Sequence, residues 1–207
     1  MGSKLSWSHY RELLTIKNID AIIYYIDICE KNGLSKRELQ EKIKCHEYDR
    51  LSYETKIKLI ESKELKLDDL IPNPIIIKSN SLKENLSEYA LKQVVLNDID
   101  NFLRQLGVGF AYLGNEYKIK LGDRYNYIDL LLYNIKYKCH VVVELKTNEL
   151  KKEHTGQIMT YMNYINNNIK TIEDNYTVGI IICKQDNEYV IKYCSDKRII
   201  AREYKLI

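Results

Sequence analysis

Two apolar runs in the second half of the chain constrain its fold most strongly. They cover residues 127–133 and 139–145. Apolar runs of this length predict strands of a sheet that is covered on both faces. Asp129 interrupts the first run, and an ionised carboxylate in such a strand requires a cation close by. The sequence therefore predicts a covered sheet with a positive charge next to Asp129.

The second run ends in two charged residues, Glu144 and Lys146. Side chains alternate along a strand, so these two share one face. If the two strands are neighbours, Asp129, Glu144 and Lys146 converge. The plainer alternative is an ion pair between Glu144 and Lys146 at a solvated strand end, with Asp129 satisfied by a turn.

Two neighbouring carboxylates match the needs of a magnesium ion. The side chains of Asp129 and Glu144 and the backbone carbonyl of Leu145 would leave its other positions to water and phosphate oxygens. Such a metal lowers the pKa of a bound water and stabilises the charge that builds on a phosphodiester during in-line attack. Lys146 would orient that water, help to deprotonate it, or neutralise the phosphate. The pattern is that of a hydrolase site.

The spacing of apolar residues divides the chain into two segments. Before residue 70 they recur every three or four positions, which predicts helices. Both prolines and a polar run mark residues 71–81 as a linker, so we expect a helical domain over residues 1–78 and a second domain over residues 79–207. The second domain has predicted helices over 87–106, capped by Asn85, and 149–166, and predicted strands over 110–121, 127–133, 139–145, 177–183 and 189–193. This order describes an α/β domain whose mixed sheet is flanked by helices.

The first segment contains a helix-turn-helix-like unit. A helix over residues 19–31 ends at Gly33, and Ser35 with Glu38 forms a capping box before a helix over residues 36–44. The second helix carries four basic candidates for nucleic-acid contact: Lys36, Arg37, Lys42 and Lys44. The alternative is a plain helical hairpin, since acidic residues on the same helix dilute its positive charge.

The overall composition does not identify a partner. The chain has 32 Lys and Arg against 29 Asp and Glu, a formal net charge of +3, so any surface for a polyanion must be local. Its five cysteines, never arranged as CxxC, argue against a disulfide framework and a zinc knuckle. The first residues lack the apolar run of a signal peptide, and no stretch approaches the length of a membrane span. We therefore expect a soluble cytoplasmic protein with no membrane partner.

Motifs in a fixed order extend along nearly the whole chain. They are residues 5–14, 35–39, 102–107, 109–112, 127–131, 143–146, 156–157 and 178–184. Together they resemble the YhcG-type PD-(D/E)xK nuclease family. The resemblance implies a restriction-endonuclease-like core behind a small DNA-binding helical domain, with Asp129, Glu144 and Lys146 at the metal and catalytic positions. Gln157 and Tyr161, one helical turn apart, fit the QxxxY element of some related nucleases.

One position departs from the family pattern. Many members carry a glutamate on the first helix of the nuclease core, and this chain has Lys92 there. Glu88, one turn earlier, falls on the apolar stripe of the helix and would supply a substitute metal ligand. Alternatively, Glu88 and Lys92 form a plain i,i+4 ion pair.

Two main hypotheses follow. In the first, the chain is a Mg²⁺-dependent deoxyribonuclease, with Mn²⁺ substituting for Mg²⁺, whose helical domain engages duplex DNA. In the second, the nuclease fold has reduced catalysis and binds DNA or assembles on it, which the presence of Lys92 motivates. RNA as the substrate is a third hypothesis. A homodimer is suggested only by analogy with nucleases that cut both strands.

Overall fold

The computed structural model describes residues 5–79, 86–194 and 196–207. The chain divides into two compact units, Met1–Pro72 and Asn73–Ile207. The residues described include no helix that combines the length and the apolar character required to span a membrane.

The first unit is all-helical, as the spacing of its apolar residues predicts. Its helices are α1 (Trp7–Leu13), α2 (Ile19–Asn32), α3 (Lys36–Lys44), α4 (Tyr53–Ile60) and α5 (Leu67–Leu70), with a 3₁₀ turn at Tyr48–Arg50. Gly33 ends α2 with a φ of 63°, a left-handed conformation that glycine adopts without strain. The capping box of Ser35 and Glu38 starts α3, so both predictions for this helical pair are confirmed.

The second unit is built on one mixed sheet of six strands. The strands are β1 (Ile75–Ile77), β2 (Phe110–Leu121), β3 (Arg124–Asn134), β4 (Cys139–Leu145), β5 (Asn175–Cys183) and β6 (Ile199–Leu206), in the order β1-β6-β5-β4-β3-β2. Along this order, the pairs β1–β6, β6–β5 and β5–β4 are parallel. The pairs β4–β3 and β3–β2 are antiparallel. The helices are α6 (Glu88–Asn97), α7 (Ile99–Leu106), α8 (Lys152–Asn168) and α9 (Glu188–Cys194). The expected mixed sheet flanked by helices is confirmed.

The helix expected over residues 87–106 is two helices, α6 and α7. Asp98 interrupts it with a non-helical backbone, and its side chain accepts a hydrogen bond from the Asn101 amide at 3.3 Å, which starts a new helix. Ser87 caps α6, whereas the cap expected from the sequence, Asn85, lies outside the described residues.

The strand expected over residues 189–193 is wrong, because this segment forms α9. The Asn187 side chain accepts a hydrogen bond from the Val190 amide at 3.2 Å, and this local cap favours a helix.

Two further strands, β1 and β6, are not apparent from the sequence. They pair with each other in parallel, with Ile75 opposite Tyr204. This pairing draws the segment after Pro72 into the second unit, so the division comes earlier than the expected boundary after residue 78.

The strand that carries Glu144 is covered on both faces. All seven residues of β4 are buried, including the polar His140 and Glu144, as its mostly apolar sequence predicts. Helix α8 packs closely on the neighbouring strand β5: a Cβ atom at Gly179 would lie 2.7 Å from Met162 Sδ and 2.9 Å from Ile158 Cδ1.

Candidate active site

Strands β3 and β4 bring the two predicted carboxylates together. Their ladder of paired residues ends at Leu130 and Val143. Beyond that pair, each acid binds the backbone of the other strand: Leu145 N donates to Asp129 Oδ2 at 3.0 Å, and Asp129 N donates to Glu144 Oε1 at 3.3 Å. The two carboxylates therefore converge, and a turn does not satisfy Asp129.

Lys146 joins this pair from the end of β4. Its Nζ lies 3.4 Å from Glu144 Oε2 and 3.5 Å from Glu88 Oε2. The Lys146 side chain is 9% exposed and that of Glu144 is 3% exposed, so the ion pair is not at a solvated strand end. Burial alone would lower the pKa of Lys146, but the carboxylates of Glu144 and Glu88 outweigh it and raise the pKa above its ordinary value. Lys146 is therefore a cation at neutral pH.

The environment of Glu144 disfavours a second negative charge. Burial, and next the charge of Asp129, raise the pKa of Glu144 to about 7, while the ammonium of Lys146 acts in the opposite direction. A cation added between the two carboxylates would reduce the repulsion between their negative charges. The raised pKa of Glu144 thus reflects its burial beside a second carboxylate.

Lys92, on α6, already supplies one cation. Its Nζ lies 3.0 Å from Asp129 Oδ1 and 3.1 Å from Glu116 Oε1. Burial alone would lower the pKa of Lys92, but its bonds to Asp129 and Glu116 raise it. The plain i,i+4 pair expected between Glu88 and Lys92 is therefore wrong, because the two side chains bind different partners across the site.

Glu116 was missed by sequence reasoning, although a signal was present. Leu121 pairs with Arg124 across the two-residue turn of Gly122 and Asp123. Counting back along both strands from this turn places Glu116 opposite Asp129. The register of the hairpin therefore predicts a second carboxylate beside Asp129.

Glu88 also reaches Lys146. Its carboxylate contacts the Lys146 ammonium, and its side chain is 47% exposed. Among the described residues, no group of three or more His, Cys, Asp or Glu side chains is gathered closely enough to hold a metal ion. In the part of the chain that the structure describes, the expected set that includes Glu88 as a third carboxylate is thus not assembled, and Glu88 is instead paired with the Lys146 ammonium.

The remaining donor set still fits magnesium. Asp129 and Glu144 supply two carboxylates, and the carbonyl of Leu145 stands between Glu144 and Lys146 in the chain. Magnesium commonly takes one or two carboxylates and fills its other positions with water and phosphate oxygens. Two hard oxygen ligands in a largely buried site meet that requirement.

Helix α8 contributes a row of polar side chains. Gln157 Nε2 donates to the Tyr161 hydroxyl at 3.0 Å, so the two expected residues do share one face. His154, one turn before Gln157, was missed; burial and then the charge of Lys146 lower its pKa, which places it near the site. The spacing of His154, Gln157 and Tyr161, at i, i+3 and i+7, is the signal that predicts a shared face.

The four basic candidates of α3 differ in their surroundings. Lys42 Nζ lies 2.6 Å from Glu47 Oε2 and is largely buried, so it is committed to an internal ion pair and not to a surface contact. Lys36 lies 3.3 Å from Glu12 Oε1. Arg37 and Lys44 are exposed. The structure therefore leaves two of the four cations fully on the surface.

Two known family models match the chain. The model of the YhcG PDDEXK nuclease domain matches residues 68–207. The chain belongs to this nuclease family. The model of the DUF1016 N-terminal domain matches residues 1–50. Asp129 and the sequence Glu144-Leu145-Lys146 stand in the order of the D and ExK elements, and the family predicted from the sequence is confirmed.

A relative is found in Escherichia coli (strain K12), under the name "Putative nuclease YhcG". It is 26% identical over 208 residues, covering 96% of this chain and 56% of the relative. The chain thus spans about half the length of the curated relative that it matches.

Two solved structures are also similar. A repair endonuclease from Pyrococcus abyssi has 15% identity and a TM-score of 0.41, covering 61% of this chain and 49% of its own. The EndoMS-dsDNA2 complex has 14% identity and a TM-score of 0.40, covering 62% of this chain and 48% of its own.

Proposed function

We propose that this nuclease-family chain is a divalent-metal-dependent deoxyribonuclease whose active centre is formed by Asp129, Glu144 and Lys146. The observation that carries the proposal is the convergence of these side chains where the pairing of β3 with β4 ends, with both acids bonded across the strands. A purely structural ion pair does not require two carboxylates to converge in this way.

Asp129 and Glu144, with the Leu145 carbonyl, would hold Mg²⁺, and Mn²⁺ would substitute for it. When bound, the ion supplies charge for the phosphate in the transition state and lowers the pKa of a coordinated water. The protein residues keep both carboxylates ready for this role: the backbone amides of Leu145 and Asp129 fix one oxygen of each acid. This arrangement leaves the other oxygens for cations.

Lys146 would act as a hydrogen-bond donor and a positive charge. Its raised pKa keeps it protonated at neutral pH, so it donates hydrogen bonds to a phosphate oxygen or to the attacking water. Gln157 and Tyr161 would orient the same water or phosphate from α8. The exposed Arg37 and Lys44 of α3 would contact the DNA backbone through the helical unit.

A second function, DNA binding with reduced catalysis, is favoured by one observation. Lys92 already occupies one oxygen of Asp129, which competes with a divalent ion for that ligand. Magnesium titration by calorimetry separates the two functions: a nuclease binds the ion through Asp129 and Glu144, and a binding module with a blocked site does not.

Plasmid nicking in the presence of Mg²⁺ tests the proposal. The parent protein should nick the plasmid, and Asp129→Asn and Glu144→Gln should each reduce the rate by at least about 100-fold. Glu173→Gln, at an exposed position, is the control for loss of one carboxylate and should cut at the parent rate. Equal cutting by all four proteins would refute the assignment. Matched DNA and RNA duplexes test the choice of nucleic acid, since preferential RNA cleavage contradicts a deoxyribonuclease.

A further inference from the structure

The hairpin of β2 and β3 projects beyond the rest of the sheet. Pairing between β3 and β4 covers Leu130 to Asn134, whereas pairing between β2 and β3 continues to Leu121 and Arg124. The outer part of the hairpin therefore has one face against the protein core and one face toward solvent.

The two faces differ in chemistry. The inner face holds Ile119 and Ile128, which are buried in the same core cluster as residues of α8. The outer face holds two cross-strand pairs, Lys118 with Tyr127 and Lys120 with Tyr125, and all four residues are exposed. We call these four residues the hairpin face. It presents two cations and two phenol rings to solvent.

The aromatic rings of the hairpin face are open to a ligand. Tyr125 is 55% exposed and Tyr127 is 53% exposed. Lys118 Nζ lies 3.8 Å from the centroid of the Tyr125 ring, so a cation and a ring already associate on this surface. Large exposed rings next to lysines are what a nucleic-acid strand requires: cations for phosphates and flat surfaces for bases.

The hairpin face leads directly to the candidate active site. Glu116 and Asp129 stand next to the paired residues Tyr117 and Ile128, and Lys92 contacts both of these carboxylates. Along β3, Asp129 follows Tyr127 by two positions and Tyr125 by four. Four residues of strand separate Tyr125 from Asp129, a distance of about 13 Å.

We propose that the hairpin face binds an unpaired strand of DNA next to the phosphate that is cut. Lys118 and Lys120 neutralise two phosphates, and the tyrosine rings stack on bases. Bases paired inside a duplex do not offer their faces to side chains, so stacking selects an unpaired segment. The inference rests on the proposed nuclease function and specifies its substrate as DNA with a single-stranded portion.

Binding of a fluorescent single-stranded oligothymidylate to the full chain tests the proposal. The measurement is made in EDTA, by anisotropy, so that cleavage does not contribute. The double variant Tyr125→Ala/Tyr127→Ala should weaken binding by about tenfold or more. The double variant with Phe at both positions should retain binding, because it keeps the rings. Lys118→Ala/Lys120→Ala should reduce the slope of log affinity against log salt by about 1.4, or about 0.7 for each phosphate contact.

A matched control comes from α9. Tyr189 and Tyr193 are 78% and 70% exposed, and Lys192 Nζ lies 5.2 Å from the Tyr193 ring. Tyr189→Ala/Tyr193→Ala should leave the affinity at the parent value. Thermal melting of every variant shows whether the hairpin still folds, and the Phe variant tests the rings if the Ala variant melts early.

Several results would overturn the proposal. One is that the α9 control variant loses as much affinity for the single strand as the Tyr125→Ala/Tyr127→Ala variant does. Another is that the Phe variant loses binding. A third is that the parent protein binds a duplex of the same length better than the single strand. The outcome is separate from that of the nuclease proposal, because Glu144→Gln retains the hairpin face. That variant should bind the single strand normally and fail only in cleavage.

Discussion

The ammonium of Lys92 lies 3.0 Å from Asp129 Oδ1. A lysine on α6 thus holds the carboxylate that the proposed metal would use. The first expected outcome follows from this competition: Lys92→Met should raise the affinity for Mn²⁺ and Mg²⁺ by about tenfold, which corresponds to about 1.4 kcal/mol. Isothermal titration calorimetry measures this directly.

The control for this substitution is Lys170→Met. Lys170 Nζ donates to the carbonyl oxygens of Thr171 and Asp174, close to the start of β4 and away from its acidic end. Its removal should leave the metal affinity unchanged. An unchanged or weaker affinity in Lys92→Met would show that Lys92 does not compete with the ion.

The stability of the metal-free protein should depend on pH through Glu144. The pKa of this buried acid is raised to about 7, so the unfolded chain releases the proton more readily than the folded one. Folding stability contributed by protonated Glu144 is therefore present below about pH 4 and is lost as the pH rises toward 7. Glu144→Gln, which does not titrate, removes this loss. The melting temperature of the variant relative to the parent should increase between pH 5 and pH 8 in EDTA, and a constant difference would contradict the raised pKa.

Two glycine substitutions test the packing behind the site. Gly179→Ala places a methyl group against Met162 and Ile158 and should lower the free energy of unfolding by about 1–3 kcal/mol. Gly156→Ala, on α8, meets no atom within 4 Å and should raise it by about 0.5–1 kcal/mol because alanine favours a helix. Urea denaturation measures both values. Equal effects would show that α8 does not press on β5 as described.

The basic residues of α3 should separate into two classes. Lys42→Ala leaves the buried Glu47 without its cation and should lower the free energy of unfolding by about 2 kcal/mol or more. Arg37→Ala and Lys44→Ala should change stability by less than about 0.5 kcal/mol. Each of these two should reduce the salt dependence of duplex binding by about one unit in the log–log slope. Stable variants with parental DNA binding would exclude α3 from the interface.

The sequence was sufficient to predict the parts of the site that lie on continuous strands. The bounds of β2 and β4 follow from their own residues, because alternation and unbroken apolar runs are local signals. Asp129 stood out as an acid within an apolar run, and the position of Glu144 with Lys146 at a strand end placed them on one face. These features require no knowledge of distant partners.

The parts that depend on distant partners were harder to predict. Lys92 binds Asp129 and Glu116 across three elements, and helical spacing alone favoured Glu88 as its partner. Strand β1 has only three residues and is stabilised by pairing with β6, near the other end of the chain. Helix α9 has β-branched and aromatic residues, and a single cap at Asn187 outweighs that composition. In each case the deciding contact is a tertiary or capping interaction that periodicity does not contain.

The reciprocal bonds of Asp129 and Glu144 have a consequence for inactive relatives of this chain. Each acid accepts a hydrogen bond from a backbone amide where the ladder of β3 and β4 stops, so the two strands are tied together by the side chains themselves. A lineage that abandons catalysis cannot discard these carboxylates without loosening the sheet. Replacement by Asn and Gln is the least disruptive change, because their side-chain oxygens still accept the same hydrogen bonds. It would leave an inactive site with an unchanged backbone arrangement.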